Sequence, residues 1–286
     1  MNNILIFGVG LIGGSLALAL KKTNSQSIVA GAGRSQASLE MALSLGIIDH
    51  IAVDISAGVQ AADVIVIAAP VAQTPVILSL IKPHLKKHAV VTDVGSTKGD
   101  VAQYAYAILA DQAAQFVPAH PIAGAEKTGP EAAKADLFSG KHVILTPNSV
   151  TNNEAIATIT ALWQSTGAVV SCMSTAEHDA IFASVSHLPH LLAFALVDEL
   201  ASRSNADVLF KFAASGFRDF TRIAASSPEM WCDISLANKN ALIDEMTAYE
   251  MELKRLKTAL ISSDTDTLLA LFQRASTARK AWHKSQ

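Results

Sequence analysis

Six residues near the start of the chain, Gly8-Val9-Gly10-Leu11-Ile12-Gly13, constrain its fold more than any other segment. They follow the apolar run Ile4–Phe7 directly and open an uncharged helical pattern that reaches about Lys21. The first glycine permits a tight turn, the second lets backbone approach a pyrophosphate, and the third lets helix and strand pack closely. Free N–H groups at the helix start then attract anionic oxygens. The spacing predicts a strand, a phosphate-holding turn and a helix, with Gly8, Gly10, Leu11, Ile12 and Gly13 as cofactor-binding positions. The uncharged stretch Met1–Leu20 does not read as a secretion signal, because Lys21 and Lys22 come after its apolar part and glycines interrupt it. Another uncharged run, Val64–Ile81, is broken by Pro70 and Pro75. No segment is expected to span a membrane.

Further apolar runs at Ile28–Ala30, Val64–Ala68, Val90–Thr92 and Val143–Leu145 alternate with helical patterns. Continuous apolar strands separated by helices predict an α/β, Rossmann-type doubly wound parallel sheet covered on both faces. After about residue 150 only Ala168–Val170 still reads as a strand. A boundary near Pro147–Thr151 is therefore expected, between a dinucleotide-binding domain (1–150) and an all-α substrate and dimerisation domain (151–286). Leu242, Met246, Tyr249, Leu253, Leu256 and Leu260 recur in steps of four and three, a seam that a subunit interface or the domain's own core would use. A homodimer through the helical domain is the expectation. With 286 residues, half of them hydrophobic and 16% charged, the chain is too apolar for disorder. A net charge of −3 provides no electrostatic reason to bind nucleic acid or an anionic membrane. Cys172 and Cys232 are the only cysteines, so neither a disulfide framework nor a metal site is expected, and a reducing cytoplasm fits best.

The choice of dinucleotide turns on the end of the second strand, where an NAD site places an acid against the ribose hydroxyls. Here the residues are Gly31-Ala32-Gly33-Arg34-Ser35, with no acid. A guanidinium and a hydroxyl offer charge-assisted donors to a 2′-phosphate, so NADP is the expected preference over NAD, with Arg34 and Ser35 as its ligands. Two polar segments follow later strands: Thr92-Asp93-Val94-Gly95-Ser96-Thr97-Lys98-Gly99, and Pro118–Gly129, which contains His120-Pro121. Pro121 biases His120 to extended backbone. A neutral imidazole there can accept an alcohol proton as hydride leaves its carbon, with Ser96 relaying a hydrogen bond. In the helical half, Ser186-His187-Leu188-Pro189-His190 sets two histidines around a proline. Phe217-Arg218-Asp219-Phe220-Thr221-Arg222 offers a guanidinium for a carboxylate. With Asp219 expected to hold one arginine, spacing does not choose between Arg218 and Arg222.

Taken in order from residue 4 to about 240, these motifs, together with His120-Pro121-Ile122-Ala123-Gly124-Ala125-Glu126-Lys127, resemble the prephenate and arogenate dehydrogenases of tyrosine biosynthesis. The resemblance implies oxidative decarboxylation of a cyclohexadienyl acid with hydride transfer to NAD(P). Prephenate would yield 4-hydroxyphenylpyruvate, arogenate would yield tyrosine, and the sequence does not choose between them. By similarity, His120 and Ser96 are catalytic and Arg222 binds a substrate carboxylate. His187, His190 and Glu126 line or gate the site, and Trp231 is contributed by a neighbouring subunit. No room is expected for the chorismate mutase or regulatory domain fused to some members. Two other readings remain open at this point: a reductase of the β-hydroxyacid dehydrogenase type, and a non-catalytic dinucleotide sensor.

Overall fold

A computed structural model describes residues 2–24, 26–125 and 127–283, which fall into two compact units, Met1–Lys239 and Asn240–Gln286. In the first unit a parallel sheet contains β1 (Asn3–Phe7), β2 (Ile28–Ala32), β3 (His50–Ile51), β4 (Val64–Ile67), β5 (Val90–Asp93) and β6 (Phe116–Val117). Their order is β3-β2-β1-β4-β5-β6. The order reverses between β1 and β4, so the carboxyl ends of these strands border a crevice. Helices α1 (Leu11–Thr23), α2 (Gln36–Ser44), α3 (Ile55–Ala61), α4 (Thr74–Ile81) and α5 (Gly99–Leu109) connect them. Alternate residues of β1 enter different cores: Ile4 and Ile6 pack with Leu16, Leu20 and Leu39, whereas Leu5 and Phe7 pack with Val59, Leu78 and Val101. Each such side chain contributes about 1.5–3 kcal/mol on burial, which fixes both helical layers on the sheet.

The run Val143–Leu145, expected in the parallel sheet, belongs to a second one. There β8 (His142–Leu145) pairs antiparallel with β7 (Ala119–Pro121) and parallel with β9 (Val169–Cys172). Strands β3, β6 and β7 escape the sequence reading because two or three residues cannot display a period. The edge expected at residue 150 falls ahead of two elements that pack with the sheets. Helix α6 (Asn153–Ser165) buries Ile159 and Trp163 in the core of β1, and β9 extends the second sheet to Cys172.

Next, α7 (Thr175–Phe182) and α8 (Leu188–Ala201) are joined by a π-helical turn over Ala183–His187, a distortion often found at functional sites. By length and composition alone this run, Thr175–Ala201, could cross a membrane, with a mean hydropathy of 1.7. Its polar groups are committed to the sheet-bearing part, however: His178 meets His120 on β7, and Asp179 holds the start of α5. Helices α9 (Ala206–Lys211), α10 (Ser215–Thr221) and α11 (Pro228–Ala237) follow, with a 3-10 turn at Arg222–Ala225. The second unit consists of α12 (Lys239–Ile261) and α13 (Thr265–His283). On α12 the seam residues Met246, Tyr249, Leu253 and Leu260 are exposed in the single chain.

Candidate active site

The glycine turn follows β1 and α1 starts at Leu11. Gly8 has φ +93°, and a Cβ there would lie 2.4 Å from the Ala68 carbonyl oxygen. At Gly13 a Cβ would lie 2.1 Å from the Gly8 oxygen, so helix and turn touch through backbone. Gly10 is different, since a Cβ there meets nothing within 4 Å. Gly10 is also the helix cap and supplies no side-chain hydrogen bond, which leaves the first N–H groups of α1, at Leu11, Ile12 and Gly13, without a capping oxygen. An open glycine under uncapped amides fits a dinucleotide pyrophosphate. Beyond β2, Arg34 is exposed, and Ser35 caps α2 by accepting hydrogen bonds from the Ser38 amide (3.2 Å) and hydroxyl (2.9 Å). The Ser35 hydroxyl keeps its own proton to donate.

Where β5 ends, Asp93 and Lys98 form a buried ion pair. The carboxylate also accepts from the Gly95 amide (2.8 Å) and the Ala119 amide (3.1 Å), while the Lys98 ammonium donates to the Ala119 carbonyl (2.8 Å). Both backbone groups of the residue preceding His120 are thus clamped by one ion pair. The clamp explains why a three-residue strand holds its place, and places His120 on β7 opposite Ile144 instead of in a loop. The extended backbone expected from Pro121 is what β7 adopts.

The ring of His120 is held as firmly as its backbone. Its Nδ1 lies 2.9 Å from His178 Nε2, and His178 Nδ1 lies 2.8 Å from Asp179 Oδ1. Phe182 covers both rings, at centroid distances of 4.9 and 4.5 Å. Loss of hydration first, and then the positive charge of Lys98 and any charge taken on by His178 or His187, hold the His120 pKa well below the histidine range, so the ring is a neutral acceptor at pH 7.

His187 is fully buried, and Asn238 Nδ2 donates to its Nδ1 (3.1 Å) as well as to the Asp179 carbonyl (2.8 Å). Burial lowers the pKa of His187 to about 4. Its Nε2 faces the Ser96 backbone without forming a good hydrogen bond. His187 thus stands by the Ser96 backbone and acts electrostatically on His120.

One turn on, His190 Nδ1 donates to the Ser186 carbonyl (2.9 Å), and the ring stacks on Trp231 at 3.6 Å. Within the chain, α11 carries Trp231 against the π-helical turn and α8, where it also meets His187 edge-on at 6.0 Å. Arg222 is exposed and acts electrostatically on His190, which places it at the Trp231 end of the cluster. One correction concerns Asp219, which is exposed and holds neither Arg218 nor Arg222 among the described residues, since α10 turns it to solvent. Glu126 lies outside the described residues.

Four histidines in this cluster, His120, His178, His187 and His190, have pKa values depressed by burial, which the unfolded chain lacks. Folding therefore loses stability as pH falls below about 6.5, by about 1.4 kcal/mol per pH unit for each ring that stays neutral. The raised carboxyl of Asp100 works the other way, as one group against four. Thermal melts are expected to show a Tm at least about 5 °C lower at pH 5 than at pH 7.5. A Tm independent of pH would contradict the assigned neutral rings.

Known proteins place this geometry. Residues 16–172 match the family model "Prephenate dehydrogenase, nucleotide-binding domain", and residues 174–274 match "Prephenate dehydrogenase, dimerization domain". The prephenate dehydrogenase of Bacillus subtilis is 40% identical over 280 residues, 97% of this chain and 75% of that protein. The cyclohexadienyl dehydrogenase of Zymomonas mobilis is 36% identical over 98% of this chain and 95% of its own length. Among solved structures, prephenate dehydrogenase from Aquifex aeolicus in complex with hydroxyphenyl propionate and NAD+ superposes with a TM-score of 0.91 at 38% identity, covering 98% of this chain and 97% of that one.

Proposed function

The chain belongs to the prephenate dehydrogenase family, and from that premise we propose that it oxidises and decarboxylates prephenate, arogenate or both, with a nicotinamide dinucleotide. The observation that carries this reading is the contact of His120 Nδ1 with His178 Nε2 (2.9 Å) on a strand that follows the parallel sheet, which together with the depressed pKa of the ring supports a neutral His120 with Nε2 open to a ligand. His120 Nε2 takes the hydrogen bond of the ring hydroxyl as the carbinol C–H leaves as hydride. Electrons of the bond to the ring carboxylate then enter the ring, carbon dioxide departs, and the oxygen keeps its proton as a phenol. Aromatisation drives the step, so the protein's contribution is alignment and one polarised O–H. When bound, the nicotinamide supplies the hydride acceptor.

Gly8, Gly10, Leu11, Ile12 and Gly13 would hold its pyrophosphate. Arg34 and Ser35 support a preference for NADP: the guanidinium is exposed past β2 and the hydroxyl has a proton to give. Ser96 bridges substrate hydroxyl and nicotinamide in this reading, while His187, His190, Trp231 and Glu126 line the substrate space. Arg222 clamps a substrate carboxylate. Because such a clamp acts on ground and transition states alike, Arg222→Ala is expected to raise KM about 10- to 100-fold with kcat within a few-fold. An unchanged KM in steady-state kinetics would remove Arg222 from that role.

The exposed seam on α12, within the part matched by the dimerisation model, supports a homodimer, and the free, exposed Cys172 and Cys232 fit a reducing cytoplasm. Purified protein assayed with prephenate and arogenate, each against NAD and NADP, tests the whole reading through reduced nicotinamide absorbance. Turnover of either substrate is expected, faster with NADP. Tight cofactor binding without turnover would instead favour a sensor.

A further inference from the structure

The mechanism above uses His120 but not the two groups behind it. We infer that Asp179 and His178 are positioning residues that lock His120 into the tautomer with a bare Nε2. This rests on the proposed reaction and specifies what prepares its base. The polarity can be followed from the far end. Asp179 Oδ1 receives the Lys98 amide (2.9 Å) and His178 Nδ1 (2.8 Å), and Oδ2 receives the Gly99 amide (2.7 Å). Gly99 leaves space for that carboxylate, since a Cβ there would stand 2.8 Å from Oδ2. A carboxylate held by backbone amides at the start of α5 can only accept from the ring, so His178 Nδ1 carries the proton. A neutral His178 then presents a lone pair at Nε2, His120 must donate to it from Nδ1, and His120 Nε2 is left to accept. The opposite polarity needs a cationic His178 beside the buried Lys98 ammonium, which low dielectric disfavours. The same carboxylate also fixes the start of α5 three residues past Ser96, so a single group registers the base against the Ser96 loop.

Asp179→Asn tests this, because a carboxamide whose oxygen stays on the Gly99 amide, in place of Oδ2, puts its NH2 in place of Oδ1, toward His178, and gives up the bond from the Lys98 amide. That reverses every donor down the line and puts a proton on His120 Nε2. The expected result is a fall in kcat of about 10²-fold or more, with KM and cofactor affinity within about threefold. Long-range ¹H–¹⁵N spectra of the wild-type chain read the tautomers without turnover, and both His120 and His178 are expected to be protonated at Nδ1 only. A kcat within threefold of wild type, or a wild-type His120 protonated at Nε2, would overturn the inference. If the wild-type chain turned over neither substrate, the functional reading would fall, and the ring-nitrogen spectra would still decide the wiring. Should the variant not fold, those same spectra decide it alone.

Discussion

His120→Asn is expected to lower kcat by about 10²- to 10⁴-fold, the usual contribution of a positioned base, and to leave KM within about threefold. The split follows from where the side chain sits. Its Nδ1 is engaged with His178 and its ring rests on Phe182, so Nε2 is the one polar atom left to meet a ligand. Substrate affinity is expected to come instead from the proposed carboxylate clamp, Arg222. The substitution should also fold, because the strand is held by the Asp93–Lys98 pair through Ala119 and not by the imidazole. Steady-state kinetics on a variant with wild-type melting behaviour checks this. Retention of most of the kcat would remove His120 from the chemistry.

The second large effect separates two glycines three residues apart. Gly13→Ala forces a methyl to within 2.1 Å of the Gly8 carbonyl oxygen, a backbone atom that cannot rotate away. Overpacking of this kind costs about 1–3 kcal/mol or more, and the shift needed to relieve it spoils the turn. Lower Tm and lost cofactor binding are expected together. Gly10→Ala enters open space at φ −90°, a value any residue adopts, so stability should stay within about 0.5 kcal/mol of wild type. Its methyl would stand where a pyrophosphate must approach the amides of α1, and the cofactor KM should rise at least about tenfold. Melting curves and cofactor titrations on the pair decide it. Unimpaired cofactor affinity in Gly10→Ala would mean that the dinucleotide does not lie on that turn.

Much of this was legible in the chain because long apolar runs and a glycine turn are local signals. The strands β1, β2, β4 and β5 bury both faces and read as uninterrupted β-branched stretches, and the turn after β1 needs its glycines for steric reasons visible in the spacing. His120 was legible through Pro121. The supporting groups were not, because each acts across the fold. His178 and Asp179 are the fourth and fifth residues of α7, a short helix capped by Ser174, where a charged residue ordinarily faces water. Lys98 is fully buried against a carboxylate five residues earlier, a pairing that polar loop composition conceals. A buried lysine and a His-Asp dipeptide ahead of an apolar helix are the signals that could have found them. The strands of two and three residues, β6 and β7, exist because side chains from other elements fix them, so no period marks them. The stack of Trp231 on His190 joins α11 to α8 across some forty residues, a distance no local pattern spans.

Everything functional above depends on one geometric relation, the base at one end of a small acid and the guanidinium at the other. A crystal structure of this chain with bound dinucleotide and a 4-hydroxyphenyl product analogue measures it directly. The phenolic oxygen is expected about 2.6–3.2 Å from His120 Nε2, with the analogue's carboxylate on Arg222. A phenol turned away from His120, or a carboxylate held elsewhere, would contradict the account.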